Sequence, residues 1–600
     1  MPSKDDILLE EQFAQQRMSR GLLTRLWAYL QPFRRMFWLN LVLSVLATVS
    51  QLLGPKLIQV GLDRYLIHRG AAELAQRGLL MVSLIYLGNL GIGWALSILQ
   101  VRSAIAIGQG AMNNLRLAVF EHIQRLSLNY FDKTHQGRII NRADTDIDAL
   151  DRVLTWGASQ LLSSLITLAG VLLILIRYDW RLCLAVSVVL PPLWAATRLF
   201  HVYGMRAYRN LRTESSRVTA ALAENIAGVR VVQAFSREEK NLERFNQVQE
   251  VYRSRFVEAA RLFHTYLPFL ALMSGLGTAI ILGYGGRLVM RQEITVGQLA
   301  AFVLYLGMFF GPIQTMGDLY NAMLSAAASA ERIFHLLDTQ PQIQNQPQAV
   351  ALPPLRGHIG FDHVWLRYDT TPADTWVLQD ICFEAKPGET VALVGRTGSG
   401  KTSIISLLTR FYEPQQGRIT VDGLNLQLVT LESLRAQVGI VTQDNFLFTG
   451  TVLENLKFGR PDATEAEVVA AAQRLGSHEI IQRLEKGYET KIAERGQNLS
   501  AGERQLLCFT RAMVAQPRLL ILDEATSAVD PQTEATIQHA LDQLFARRTC
   551  FVVAHRLSTV RNAHRILVLE GGRIVEQGNH RELLELGGTY ARMHGEFVRS

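Results

Sequence analysis

The sequence predicts a multidomain membrane protein: an all-α domain of six bilayer-spanning helices, followed by an α/β domain built around a phosphate-binding loop. Three observations carry that prediction. Charge-free apolar runs crowd the first half of the 600 residues, and charges and turn residues return after about Asp338. The stretches between those runs alternate between rich and poor in Lys and Arg. An apolar strand, VALVG, then leads into GRTGSGKT and a helix-forming run.

Composition agrees with this division. Charged residues make up 19% of the chain, below the roughly 25% of an average soluble protein. A chain of 600 residues also exceeds what one hydrophobic core organises. The net charge is +8 and the isoelectric point about 9.3. The basic residues lie between apolar stretches rather than on one motif, which points to membrane topology and argues against a nucleic-acid partner. Cys183, Cys382, Cys508 and Cys550 are widely separated in apolar contexts. They form no metal or disulfide spacing and read as buried thiols of a reducing compartment. The N-terminal MPSKDDILLEEQ is too polar for a cleavable signal, so insertion relies on internal segments.

Residues 1–35 form an N-terminal arm. Within it, GLLTRLWAYLQPFRR (Gly21–Arg35) mixes aromatic and basic residues. It reads equally as an amphipathic elbow helix on the inner leaflet or as the start of the first span. The membrane domain follows over 36–335. Crossing about 30 Å of hydrocarbon takes about 20 helical residues. The candidate spans are Met36–Pro55, Gly78–Val101, Val153–Ile176, Leu182–Thr197, Leu262–Gly286 and Ile294–Gly317. The fourth is short and interrupted by Pro191-Pro192, but bundle neighbours can satisfy the backbone groups that prolines free.

Lys and Arg number 25 in the N-terminal arm and the two long connections, against 8 in the other three segments. The positive-inside rule therefore puts both termini, the long connections and the α/β domain on the cytoplasmic side of the cell's inner membrane. The long connections carry helical spacing over Leu115–Leu128 and Ser215–Phe235. They read as membrane helices continuing into the cytosol as antiparallel hairpins. The turns are expected to be short and charged, with Asp144–Asp151 following a tip near Phe131–Arg138. Residues 336–355, with the proline-containing Pro341–Pro354, read as a linker to the domain at 356–600.

In that last domain, Gly395-Arg396-Thr397-Gly398-Ser399-Gly400-Lys401-Thr402, followed by Ser403, fits the G-x-x-x-x-G-K-[ST] pattern between a strand and a helix. Its glycines allow backbone N–H groups to close around a β-phosphate. Lys401 neutralises phosphate oxygens, Thr402 offers a hydroxyl to Mg²⁺, and the helix N-terminus adds positive potential. RLLILDEATSAVD delivers Asp523 and Glu524 at the end of a second apolar strand. Asp523 suits Mg²⁺ binding through water, and Glu524 suits polarisation of an attacking water. A third apolar strand ends in His555. Beside the phosphate-loop strand, that histidine would reach a γ-phosphate.

These motifs, in this order, resemble the nucleotide-binding domain of ABC transporters. From Gly21 to Arg592 the chain resembles an exporter-type half-transporter, in particular the A subunit of bacterial heterodimeric multidrug exporters. The resemblance implies a signature at Leu499-Ser500-Ala501-Gly502-Glu503 that completes the ATP site of a second half-transporter. It also implies that Gln443 is a Mg²⁺ or water ligand sensing the membrane domain and that Tyr368 stacks on adenine. Asp530 would contact the partner domain, and Glu494 would lie near the coupling helices. FDKTHQGRIINRADTDID and ENIAGVRVVQAFSRE look like the membrane-domain segments around those helices. Two such domains bind ATP head to tail, so nucleotide binding and hydrolysis bias two conformations of the dimer.

The signature departs from the family's usual LSGGQ. Ala501 adds a methyl group that limits backbone approach. Glu503 brings a carboxylate that is unfavourable near triphosphate unless it points away. Because the chain's own ATP residues are intact, the reading favours a heterodimer whose competent site lies here. Neutral variation in a homodimer is the alternative.

The expected function is ATP-driven export of hydrophobic or amphipathic substrates, whether drugs, lipids or peptides, across the cytoplasmic membrane by alternating access, with the lipid bilayer as surroundings. The alternatives are a homodimeric lipid flippase, an ATP-gated channel or a regulatory half-transporter; Glu524 argues against the last two. Six spans argue against a DNA-repair ATPase. Tyr266, Phe269, Tyr284, Phe302, Tyr305, Phe309 and Phe310 are candidate cavity-lining aromatics, although packing explains most of them individually.

Overall fold

The computed structural model describes residues 20–67, 72–369, 371–372, 374–523, 531–553 and 557–599. They form two compact units, one comprising Met1–Glu121 with Ile140–Asp338, the other His122–Ile139 with Thr339–Ser600.

The first unit is helical. Among the described residues, six helices long and apolar enough to cross a membrane run over Gly21–Leu66, Glu73–Arg125, Gln136–Tyr178, Trp180–Ala227, Glu238–Met290 and Val296–Asp338. The first five each contain one of the predicted spans, and the sixth predicted span begins two residues ahead of its helix. The helix Arg20–Leu30 is separated from Arg34–Gly61 only by a single 3₁₀ turn at Gln31–Phe33, with Pro32 in its first turn. Leu22, Leu26 and Leu30, one helical face, are buried, and Arg25 pairs with Asp338 at 2.7 Å. Pro191 and Pro192 open the helix Leu190–Ala227, where no intrahelical N–H donor is required. The second long connection is the expected hairpin: Leu190–Ala227, a short helix at Val229–Ala234, then Glu238–Ile280.

Hydroxyl and amide contacts join the spans where hydrocarbon supplies no partner. Asn40 Nδ2 donates to Ser103 Oγ at 2.8 Å, and Tyr305 OH donates to Leu52 O at 2.7 Å. Asp63 accepts from Thr295 Oγ1 at 2.6 Å and Gly297 N at 2.8 Å, fixing the start of the sixth long helix.

The charged segment expected beside the first hairpin turn is not itself a turn. Thr145–Asp151 is helical, and Asp146 is buried. Its carboxylate accepts from Arg332 Nε at 2.9 Å and from Ser329 Oγ at 2.9 Å. The acidic residues therefore sit on a packed helix surface, where a partner far along the chain compensates one of them.

The second unit holds the sheets. Strands β1 (Ile359–Leu366), β2 (Leu378–Ala385), β3 (Thr390–Gly395), β4 (Gln416–Val421), β5 (Leu424–Asn425) and β6 (Val438–Val441) come first. They are followed by β7 (Gly450–Thr451), β8 (Lys491–Ile492), β9 (Leu519–Asp523), β10 (Thr549–Val553), β11 (Arg565–Glu570) and β12 (Arg573–Gly578). The six-stranded sheet has the order β12-β11-β3-β10-β9-β6. All its pairings are parallel except β11 with β12. Its interior strands are apolar throughout because both faces are covered. A smaller antiparallel sheet, β2-β1-β4-β5, shares a core with it that includes Phe361, Phe383 and Phe551.

Cys508 and Cys550 are buried, but Cys382 is exposed, contrary to the expectation from its apolar context. It lies between Ile381 and Phe383 on β2, whose burial alternates, so strand periodicity turns it outward. Burial pushes the Cys550 thiol up to about 12, which makes it unreactive.

Asp146→Ala is expected to destabilise the protein by about 1–2 kcal/mol, because it removes the buried carboxylate that accepts from Arg332 and Ser329. Asp146→Asn, which keeps an acceptor, should cost less. Thermal unfolding in detergent would compare the two; equal Tm values for both variants and the parent would contradict the assignment.

Candidate active site

Strand β3 lies between β10 and β11, and its residues Val391–Leu393 are fully buried. This fixes the point at which the chain emerges as the loop Gly395–Gly400. Gly400 has φ of 102°, and a Cβ there would come within 2.5 Å of Leu378 Cδ2. A Cβ on Gly395 would approach Leu569 O at 2.4 Å. Any side chain at either position would force the loop open. The helix Lys401–Leu408 begins immediately after.

Lys401 is the buried cation of this loop. Its Nζ donates to Gly395 O at 2.7 Å and to Arg396 O at 3.0 Å. Desolvation lowers its pKa, and the charge of Asp523 works in the opposite direction. Both acceptors are neutral carbonyls, so phosphate oxygens would satisfy the ammonium better. Ser399 Oγ is buried without a hydrogen-bond partner. Arg396, Thr397, Gly398 and Thr402 are exposed along the same loop and first helical turn.

Asp523 ends β9, and β10 lies between it and β3. Gln443 follows β6, and both side chains line one small cavity with Asn445 and Gln505. Asn445 Oδ1 is buried without a hydrogen-bond partner. Gln505, from the helix after the signature, was missed by the motif reading because it lies just outside the five signature residues. Glu524, Asp530 and His555 lie outside the described residues.

Tyr368 does not stand alone. Its hydroxyl donates to Ser403 Oγ at 2.9 Å, and its ring meets that of Tyr412 edge-on at 4.7 Å. Ser403 is buried, so its hydroxyl serves Tyr368. The next residue, Asp369, faces the short helix Leu128–Lys133 from the first long connection. Its carboxylate accepts from Lys133 Nζ at 2.7 Å, Asn129 Nδ2 at 2.8 Å and Gln342 Nε2 at 3.2 Å. Lys133 and the two amides hold this carboxyl at about 2, well below the usual carboxylate value. Tyr412 OH also donates to Asp132 of that helix, and Ile343 N donates to Ser127 Oγ at 3.0 Å. Glu494, expected near this region, is exposed in a 3₁₀ turn ahead of the signature.

Ser500 caps the helix Ala501–Val514 through a reciprocal capping box. Ser500 N donates to Glu503 Oε2 at 2.7 Å, and Glu503 N donates to Ser500 Oγ at 3.3 Å. The carboxylate is folded back onto the cap, an arrangement that favours the helix N-terminus. Leu499 and Gly502 are buried beneath it, and Ala501 is half-buried.

Comparison with known proteins decides the family. The ABC transporter transmembrane region matches residues 37–313, and the ABC transporter family matches residues 378–527. An uncharacterised ABC transporter ATP-binding protein of Bacillus subtilis, YknV, is 40% identical over 94% of this chain and 93% of its own length. The chain belongs to the ABC transporters.

It is a half-transporter: a membrane region fused to one ATP-binding domain, with ATPase activity coupled to transport. A bacterial Atm1-family ABC exporter with ATP bound has the same fold, with TM-score 0.76, 29% identity and coverage of 94% of this chain and 98% of that one. A multidrug efflux ATP-binding/permease protein of Mycobacterium bovis is 37% identical over 95% of this chain but only 47% of its own length. A fatty acid ABC transporter ATP-binding/permease protein of the same species is 38% identical over 86% of this chain and 81% of its own length.

The capping box separates the two roles of Glu503. Glu503→Gln preserves both hydrogen bonds and is expected to change stability by less than about 1 kcal/mol, whereas Glu503→Ala should lose about 1 kcal/mol. Hydrogen exchange of the first helical turn at Ala501–Arg504 would register the difference; equal protection in all three proteins would contradict it.

Proposed function

We propose that this chain is one half of an ATP-driven exporter of amphipathic or hydrophobic compounds, paired with a different half-transporter in the cytoplasmic membrane. The intact phosphate loop beside Asp523 and Gln443, together with the altered signature, carries this reading. Both termini and the ATP-binding domain lie in the cytoplasm, as the distribution of Lys and Arg favours. The relatives named for multidrug efflux and fatty acid transport support an amphipathic cargo.

In this reading Gly395–Thr402 cradle the triphosphate, Lys401 pairs with its oxygens, and Tyr368 turns from Ser403 to stack on the base. The oxygen donors Thr402, Asp523 and Gln443 suit a Mg²⁺ ion, and the buried, unpartnered Asn445 Oδ1 marks the same pocket as short of a ligand. Mg²⁺ bound there would offset charge that builds on the phosphoryl oxygens. Glu524 orients the attacking water, and His555 steadies the γ-phosphate. Leu499–Glu503 close over the partner's ATP. That second site is weakened because Ala501 restricts close approach and Glu503 adds negative charge to the cap. Asp530 meets the partner's domain, and Glu494 stands with the coupling machinery. The helix Leu128–Lys133, held by Asp369 and Tyr412, carries the change at Tyr368 to the membrane helices.

Steady-state ATP hydrolysis by the purified transporter is expected to fall by about 10²-fold or more in Glu524→Gln, with ATP binding retained. Full turnover in that variant would overturn the catalytic assignment. Expressed without a second half-transporter, the chain should give little substrate-stimulated ATPase activity. A stable, stimulated homodimer would contradict the heterodimer.

A further inference from the structure

The membrane unit contains a cavity of about 820 Å³, the size of a site for an entire small molecule. Its wall is not the aromatic surface that the sequence suggests. Phe302 and Tyr305 are buried in a core with Val171, Leu182 and Ile281, and Tyr266 stacks on Phe200 with ring centroids 4.3 Å apart. Trp156, Met308 and Leu319 supply apolar wall, and amides and hydroxyls supply much of the rest: Gln51 from the first long helix, Gln160, Ser163 and Thr167 from the third, and Thr315 from the sixth. Part of this wall is held in place, because Thr48 Oγ1 and Ser163 Oγ are hydrogen-bonded at 2.7 Å. Polar side chains clustered within bilayer-spanning helices are costly to insert and mark substrate paths.

Arg152 and Asp318 complete the wall. Both are exposed, and neither forms an ion pair with another described residue. Arg152 immediately precedes the third predicted span, and Thr167 lies about 20 Å further along the chain. The cavity thus has a charged end at the cytosolic limit of the spans and a hydrogen-bonding wall deeper in.

A ligand that fills this space displaces water from both charges. A neutral hydrocarbon leaves both unpaired, and a singly charged compound leaves one unpaired. A molecule with both signs of charge satisfies each.

We propose that the cavity takes a zwitterionic amphiphile, with its anionic group on Arg152, its cationic group on Asp318 and its polar linkage on the amides and hydroxyls. This names the substrate class for the export reading above and rests on it.

Gly307 and Gly311 provide a way to close the site. Both line the cavity, and a Cβ added to either meets nothing within 4 Å. A side chain there enters the cavity without meeting another atom of this chain.

The test uses the assembled full-length transporter in lipid nanodiscs. ATPase stimulation is measured with lysophosphatidylcholine, dodecanoate and dodecyltrimethylammonium, each below its micellar concentration. Arg152→Gln should raise the half-saturating concentration of the zwitterion and of dodecanoate about tenfold and leave that of the cation unchanged. Asp318→Asn should do the same for the zwitterion and the cation, and spare dodecanoate. Gly311→Leu should lose stimulation by all three at an unchanged Tm.

Zwitterion stimulation that is unaltered in both charge variants, or that persists in Gly311→Leu, overturns the cavity assignment. If the parent protein also exports other amphiphiles from proteoliposomes, the export reading survives that result. If it hydrolyses ATP but exports no amphiphile, the export reading fails, and this proposal fails with it.

Discussion

The carboxylate of Asp369 is the constraint on which the rest of the account depends. It gathers Lys133, Asn129 and Gln342, and so ties the tip of the first long connection into the same compact unit as the ATP-binding domain. A single exposed ion pair contributes about 0–1 kcal/mol. Here one acceptor serves donors from a helix and from the linker, and Tyr412 with Asp132 adds a second attachment. The pKa of Asp369 is held at about 2, so the stability it contributes is fully present above the ordinary carboxylate value of about 3.9. That contribution is lost only as pH falls through about 2. In a cell the attachment is permanent rather than a pH switch. Its neighbour Tyr368 belongs to the proposed nucleotide site, so adjacent residues connect ATP to the helix tip.

The remaining architecture follows from two solvents. In hydrocarbon the backbone must satisfy itself, so the membrane unit is helical, and its buried polar side chains pair across spans. In the ATP-binding unit, parallel strands covered on both faces bring Gly395 and Asp523 to the same edge of one sheet, with β10 between them. The loop after β3 is then shaped by exclusion. Glycine is required at Gly395 and Gly400 because neighbouring atoms occupy the space of a side chain. The same reasoning, applied in reverse at Gly307 and Gly311, reveals open space.

Much of this was legible in the sequence. Six apolar runs gave six spanning helices because charge-free length is set by bilayer thickness. The phosphate loop was legible because its chemistry is local: strand, glycines, Lys401 and helix are contiguous. What escaped the reading depends on distant pairing or on phase. Asp146 reads as part of a charged turn until Arg332 appears beside it. Asp369 and Tyr412 carry no signal of their own, since their partners lie far off at residues 129–133. Cys382 was misjudged from composition, when the alternation of β2 decides its exposure. Among the aromatic residues of the later spans, Phe302 and Tyr305 fill the core as packing predicts, and polar residues of the first, third and sixth helices line much of the cavity. Glu503 looked purely like an electrostatic liability; its partner, Ser500 three residues earlier, makes it a cap as well.

The central claim is that ATP hydrolysis drives transport through the Asp369-anchored helix tip. ATP-dependent uptake of a labelled amphiphile into inside-out vesicles, measured alongside ATP hydrolysis in Asp369→Asn, tests it most directly. The account predicts that transport per ATP hydrolysed falls about tenfold while hydrolysis itself persists, a loss of coupling on the scale of 1–3 kcal/mol. An unchanged ratio of transport to hydrolysis would contradict it.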